Sequence, residues 1–324
     1  MTSRADALAA AIESNAGVDL HAHSRHSDGS WTPTELVGDS WRQNVRVMAL
    51  TDHDTVAGQV ETAEAAGRQG MLAITGIEVT THLDGRAYHL LCYDFNPSEP
   101  AWGEIERRRH VAFRRYHLHT FEQVSQRGYD VSPESAMDEN GNFVAYPVAQ
   151  ALVNAGRSPN LPAARSLLRG LGLPFPYEII ALPVADLGEL LEHDSALCSV
   201  AHPAREEATV SHRLREADLV AMKDLIPLVA LEAHHPYHRP TDVVEFANLA
   251  ASHGLLVTCG SDAHGWQMNR PPRPTPAAVC GDFLRVVLAR WRAREAAPSA
   301  VSSTRNIPGT SELIASHIYK KETV

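Results

Sequence analysis

The sequence predicts an α/β fold, a closed or nearly closed β/α barrel, and three observations carry that prediction. Seven short apolar runs read as strands, at about 18–23, 45–51, 72–79, 87–93, 197–202, 228–234 and 255–260. Helix-like stretches at 34–44, 56–68, 210–223 and 242–253 separate several of them, and such alternation builds a parallel sheet with helical crossovers. Side chains able to hold a metal or carry a proton gather where the runs end, as they do at the carboxyl ends of barrel strands.

The first run leads through Asp19-Leu20-His21-Ala22-His23-Ser24 into Ser27-Asp28-Gly29. Side chains two apart on a strand share a face, so His21 and His23 present two imidazoles from one backbone. Asp28, in the turn that follows, can swing back over the strand end. One His-x-His is weak evidence, since paired histidines also sit on ordinary surfaces, but the pattern recurs. The second strand closes on Thr51-Asp52-His53-Asp54, the third carries Glu78 and the fourth His89. Asp52 or Asp54 would orient the His53 imidazole, and the plainer role of Asp54 is a helix N-cap. His202 follows the fifth strand, Glu232-Ala233-His234-His235 ends the sixth, and Gly260-Ser261-Asp262-Ala263-His264 follows the seventh.

These motifs, in this order, resemble those of the polymerase and histidinol phosphatase (PHP) superfamily of metal-dependent phosphoesterases. Within it, the chain is most similar to the stand-alone bacterial group of 3',5'-nucleoside bisphosphate phosphatases and short-RNA 5' exonucleases. The likeness covers roughly 17–98 and 195–290. It implies a distorted seven-stranded barrel and nine ligands to two or three divalent ions. A first ion would take His21, His23, Glu78 and Asp262, with Glu78 bridging to a second on His89 and His202. A third would take Asp28, His53 and His264. Mixed imidazole and carboxylate ligands suit Mn, Zn or Fe better than Ca or Mg.

Phosphate ester hydrolysis requires a barrier reduction on the order of 20 kcal/mol. A general base contributes about 10²–10⁴-fold, which is too little alone. Clustered cations close the gap, so the expected reaction is attack of a metal-bound hydroxide on phosphorus. His264 or His235 would protonate the leaving alkoxide. Arg25 and Arg205, the arginines nearest these ligands in sequence, are the candidate catalytic and substrate-binding cations for a phosphate, and His235 the candidate imidazole beside it. By the resemblance, the segment around His234, His235 and His238 lines the pocket without ligating.

The interval from His89 to His202 is too long for one crossover and changes character. A basic helix is expected at 101–127, with Pro159, Pro162, Pro174 and Pro176 as later punctuation. The expected organisation is a first barrel part at 1–98, an inserted helical subdomain at 99–182, a second barrel part at 183–297 and a flexible tail at 298–324. In the insert, relatives of the bisphosphatase group carry Ser-Arg, then Pro or Thr, then His, to grip a substrate phosphate. Here the comparable place reads Asn142-Phe143-Val144-Ala145-Tyr146-Pro147-Val148, and a later Gly-Lys-x-Tyr gives way to Pro174-Phe175-Pro176-Tyr177. The metal machinery is intact while the substrate grip has changed.

Composition sets the remaining bounds. A formal charge of −10 argues against long nucleic acid as a partner, leaving a small phosphorylated substrate such as a nucleoside bisphosphate or short oligonucleotide. No apolar run reaches membrane-spanning length, and residues 1–17 read as a mixed-polarity helix without a signal-peptide core, so a cytoplasmic location is expected. Cys92, Cys198, Cys259 and Cys280 lie far apart and read as buried thiols. No Gly-rich phosphate loop is present. Two other readings are an amidohydrolase-like enzyme acting on a non-phosphate substrate, which usually brings a bridging lysine absent from these strand ends, and a non-catalytic metal-stabilised module, which would have lost ligands.

Overall fold

Helix α1 (Arg4–Glu13) leads the chain, followed by β1 (Gly17–Asp19), α2 (Pro33–Arg42), β2 (Val45–Leu50), α3 (Gln59–Arg68) and the hairpin β3 (Leu72–Leu83) with β4 (Arg86–Tyr93). The computed structural model describes residues 3–138, 141, 143–144, 146–173, 180–207 and 211–297. A long helix α4 (Pro100–Gln126), then α5 (Pro147–Asn154) and α6 (Leu161–Gly170), lies between β4 and β5, where the insert was expected. The chain returns through β5 (Leu182–Pro183), α7 (Val184–Leu190), β6 (Leu197–Val200), α8 (Glu216–Leu225), β7 (Leu228–His234), α9 (Pro240–Ser252), β8 (Leu256–Cys259), β9 (Thr275–Pro276) and α10 (Gly281–Ala296). The proposed tail at 298–324 and the Pro174–Tyr177 stretch lie outside the described residues.

The strand order β8-β7-β6-β4-β3-β2-β1-β9, with β5 on β3, makes a nearly closed barrel. Closure comes from residues after β1. Leu20 N–H donates to Cys259 O, Asp262 N–H to His21 O and His23 N–H to Ala263 O, and Ala22 bridges Ala263. The first expected strand is therefore regular only to Asp19 and then serves as the seam.

The sheet is mixed, which corrects the expectation of a parallel one. β4 runs antiparallel to both β3 and β6. The cause is local: Asp84 and Gly85, at φ 47° and 73°, form a two-residue turn with both residues left-handed, the geometry that joins twisted antiparallel strands. The third strand accordingly runs on to Leu83, and Glu78 and His89 sit in mid-hairpin, not at strand ends.

Helix starts follow side-chain chemistry. Thr32 caps α2 by accepting from Glu35 N–H while the Glu35 carboxylate accepts from Thr32 N–H, with Pro33 in the first turn. α3 begins later than expected, at Gln59, whose amide donates to Leu50 O and Gly76 O and so pins the helix start to two strands. α8 also starts late, because Ser211, His212 and Leu214 spend their backbone N–H groups on Glu207, Ala87 and Pro203.

Three apolar clusters fill and surround the barrel, and a fourth, around Phe121, Val124, Val148, Leu152 and Ala164, lies wholly in the insert. α4 belongs to both regions: Trp102 and Ile105 pack into the barrel core, Phe121 and Val124 into the insert core. The four cysteines are free and buried, as expected. Among the described residues, no helix is long and apolar enough to cross a membrane.

Candidate metal centre

Glu78 is the hub. On β3 it shares a face with His89 of β4, because Thr80 pairs with His89 and side chains alternate along each strand. Its Oε2 lies 3.2 Å from His21 Nε2, 3.1 Å from His23 Nε2 and 3.3 Å from His53 Nδ1. Its Oε1 lies 3.0 Å from His89 Nδ1 and 3.1 Å from His202 Nε2. Asp262 Oδ1 sits 3.5 Å from His21 Nε2 and 3.2 Å from His23 Nε2. At the rim, Asp28 Oδ1 is 3.1 Å from His264 Nε2 and its Oδ2 is 3.9 Å from His53 Nε2. All nine residues named from the sequence thus meet at one end of the barrel.

The backbone is shaped to bring them there. His202 and Asp262 adopt positive φ, 28° and 52°, in non-glycine residues at the cluster, where strained backbone is characteristic of functional sites. Gly260 permits the approach of His21, since a Cβ there would fall 2.2 Å from His21 Cβ and 2.8 Å from Glu232 Oε1. The Asp19 carboxylate accepts from Ser261 N–H and Oγ–H at 2.8 and 2.6 Å, locking the first strand to the Asp262 loop.

The donor set fits metal ions. His21 Nε2, His23 Nε2 and His53 Nδ1 are buried without a hydrogen-bond partner, yet each stands within 3.5 Å of a carboxylate oxygen. Two groups, His21/His23/Glu78/Asp262 and His23/Asp28/His53/His264, each bring four donor atoms within 4.8 Å of one another, and His53, Glu78 and His89 form a third. Buried polar atoms lacking partners are costly, and cations shared among these donors would satisfy them. Electrostatics agree. Burial alone would raise Glu78 and Asp262, but the surrounding imidazoles hold both carboxyls well below their ordinary range. Burial pushes His53 well below its ordinary value and His202 down to about 3, leaving neutral rings with lone pairs to offer.

Several supporting residues were not legible in advance. Glu232, fully buried, faces His21 Nδ1 at 3.0 and 3.1 Å and accepts from His202 N–H at 2.7 Å. It fixes the His21 ring as carboxylates behind metal-binding histidines do. The signal was available: an acid in the middle of the apolar strand Leu228–His234. Asp52 makes no direct hydrogen bond to the His53 ring among the described residues; it accepts from Ser24 N–H, Ser24 Oγ–H and Ser27 Oγ–H, holding the turn that carries Asp28, and Ser27 Oγ in turn lies 3.4 Å from His23 Nδ1. Nor is Asp54 an N-cap, since α3 starts beyond Gly58. Its Oδ1 accepts from Thr80 N–H at 2.7 Å and its Oδ2 pairs with Arg109 of α4 at 2.9 Å.

Around the cluster, His235 Nε2 is 3.4 Å from Asp262 Oδ2 and the ring is buried. Arg205 Nη1 lies 3.8 Å from the same oxygen, and Arg270, which sequence reasoning missed, pairs with it directly. Arg25 is exposed and its charge acts on Glu61 of α3; among the described residues it makes no hydrogen bond or ion pair to the cluster. His238 binds Ala233 O through Nδ1, apart from the cluster.

Comparison with known proteins points the same way. The PHP domain family model matches residues 19–132. A phosphoribosyl 1,2-cyclic phosphate 1,2-diphosphodiesterase of Eggerthella lenta is 31% identical over 261 residues, covering 76% of this chain and 94% of that protein. A 3',5'-nucleoside bisphosphate phosphatase of Chromobacterium violaceum is 28% identical over 263 residues, 77% of this chain and 87% of the relative. In fold, the chain matches a crystal structure of a protein from Bifidobacterium adolescentis with a TM-score of 0.67 and 24% identity, over 84% of this chain and 96% of the other.

Proposed function

The chain belongs to the PHP-domain family and is a phosphoric ester hydrolase, and we propose that it removes a phosphate from a small nucleotide-like substrate using two or three Mn, Zn or Fe ions. The observation that carries this reading is Glu78, whose two oxygens face five imidazoles from four separate segments. In it, His21, His23, Glu78 and Asp262 hold one ion, Glu78, His89 and His202 a second, and Asp28, His53 and His264 a third. Bound divalent ions would make a water nucleophilic near neutral pH and draw charge from the phosphoryl oxygens.

The chain's own residues supply the rest. Arg205 and Arg270 present guanidinium forks beside Asp262 and would receive the non-bridging phosphate oxygens. His235 Nε2, buried and without a hydrogen-bond partner, is placed to give a proton to the leaving oxygen. A net charge of −10 disfavours long polyanions and leaves nucleoside bisphosphates and short 5'-phosphorylated oligonucleotides as the substrate class.

Elemental analysis combined with a phosphate-release screen tests this reading. Metal-reconstituted protein should hold two or three ions per chain and release phosphate from nucleotide substrates faster than from sugar phosphates. Absence of release across nucleoside bisphosphates, short oligonucleotides and sugar or histidinol phosphates would overturn it.

A further inference from the structure

The segment His234-His235-Pro236-Tyr237-His238 ends β7 and leads out of it, and the chemistry proposed above uses only His235 of it. The rest is tied down. His238 donates from Nδ1 to Ala233 O at 2.8 Å and accepts at Nε2 from Ala204 N–H at 3.3 Å, so one imidazole joins this turn to the loop that carries Arg205. His238 N–H closes the turn on His235 O at 2.9 Å, and Tyr237 N–H donates to His235 Nδ1 at 3.1 Å. Tyr237 is therefore fixed at its backbone although its side chain reaches the surface, 53% exposed.

What its ring meets is positive charge. The guanidinium carbons of Arg205 and Arg270 stand over it, 5.7 and 5.4 Å from its centre. Both arginines also reach one oxygen, Asp262 Oδ2, Arg205 Nη1 from 3.8 Å and Arg270 directly. Two like charges thus converge on one ring and one carboxylate. The charge of Asp262 is shared with the candidate ion site, since its Oδ1 lies 3.5 and 3.2 Å from His21 and His23. An aromatic face attracts a guanidinium through its quadrupole without taking up the N–H fork, whereas a further carboxylate would occupy the donors that a phosphate needs.

Resting on the assignment of Arg205 and Arg270 to the substrate phosphate, we propose that Tyr237 is a positioning residue. Its ring holds the two guanidinium groups together against their mutual repulsion, so that a single phosphate meets both. The ring touches no reacting atom and acts only through the arginines.

Calorimetric titration of inorganic phosphate into the metal-loaded protein, with elemental analysis of each variant, tests this role. Tyr237→Leu should weaken phosphate about tenfold, the scale of two cation–π contacts, and leave the ion content unchanged. Tyr237→Phe keeps the ring and should bind within about twofold of wild type. In an Arg270→Ala background, Tyr237→Leu should cost only about threefold, because one of its two contacts is already gone. Wild-type affinity in Tyr237→Leu, the full tenfold cost retained without Arg270, a Tyr237→Phe protein as weak as Tyr237→Leu, or loss of ions together with phosphate would each overturn the role of Tyr237. Arg205→Ala and Arg270→Ala proteins that bind phosphate like wild type remove the arginine assignment itself, and wild-type protein that binds no phosphate removes the phosphoesterase reading with it.

Discussion

The barrel mouth and the helical insert are organised by opposite physics. At the mouth, carboxylates and imidazoles are buried against one another with several polar atoms lacking partners, an arrangement that only a compensating charge makes stable. The insert is an ordinary apolar cluster joined to the barrel by α4, whose Trp102 and Ile105 pack into the barrel core, and by ion pairs, Arg108 with Asp186 and Arg109 with Asp54 among them. The contrast separates two classes of variant: those of the clustered imidazoles and carboxylates should fall in kcat and metal content, those of the surrounding arginines in affinity or stability.

The largest effect should come from Glu78→Gln. Losing the hub charge should empty at least two ion positions and lower kcat by about 10³-fold or more, read by elemental analysis and phosphate release. A Glu78→Gln protein with full metal content would break the comparison at its strongest point. His53→Ala should follow, losing the rim ion and nearly all turnover while keeping the fold, since His53 is partly exposed. Next, Arg270→Ala should raise KM by about 10–100-fold with a smaller change in kcat, the scale of one charged hydrogen bond.

A pH effect of similar size is expected in metal uptake. Burial opposes charge on His23, but Asp262, Glu78 and Asp28 outweigh it and raise the ring to about 10, so the metal-free protein carries a proton that an ion must displace. Apparent affinity should climb about tenfold per pH unit between 6 and 8 for each proton released, measured by competition titration in two buffers of different ionisation enthalpy. The same shift means that metal-free stability from His23 is present below its unfolded value near 6.5 and fades as pH rises toward 10. The smallest effect belongs to the border between the two regions: Arg109→Ala should lower Tm by about 2–4 °C and leave the ion count unchanged, as thermal unfolding would show.

The same division governs what could be read in the amino-acid order. His21, His23, Asp28, His53, Glu78, His89, His202, Asp262 and His264 are legible through the resemblance of their motifs to the PHP superfamily, supported by nitrogen and oxygen donors recurring in or just after apolar runs. The strand at 87–93 is legible but its antiparallel direction is not what helical alternation predicts, although Asp84-Gly85 is a hairpin signal. Arg270 and the Arg109–Asp54 pair were beyond reach: a long side chain acquires its partner only through the path of the loop or helix that carries it, which local pattern does not encode. Glu232 lay between these cases, visible as an anomaly but without a role until His21 was placed beside it.

Because α4 is rooted in both hydrophobic centres, the insert cannot swing as a hinged flap on loose linkers. Any tilt of that helix also pulls on Arg109, and through Asp54 on the loop bearing His53. The insert and the His53 loop are in this way mechanically geared, with a single rod as the shaft.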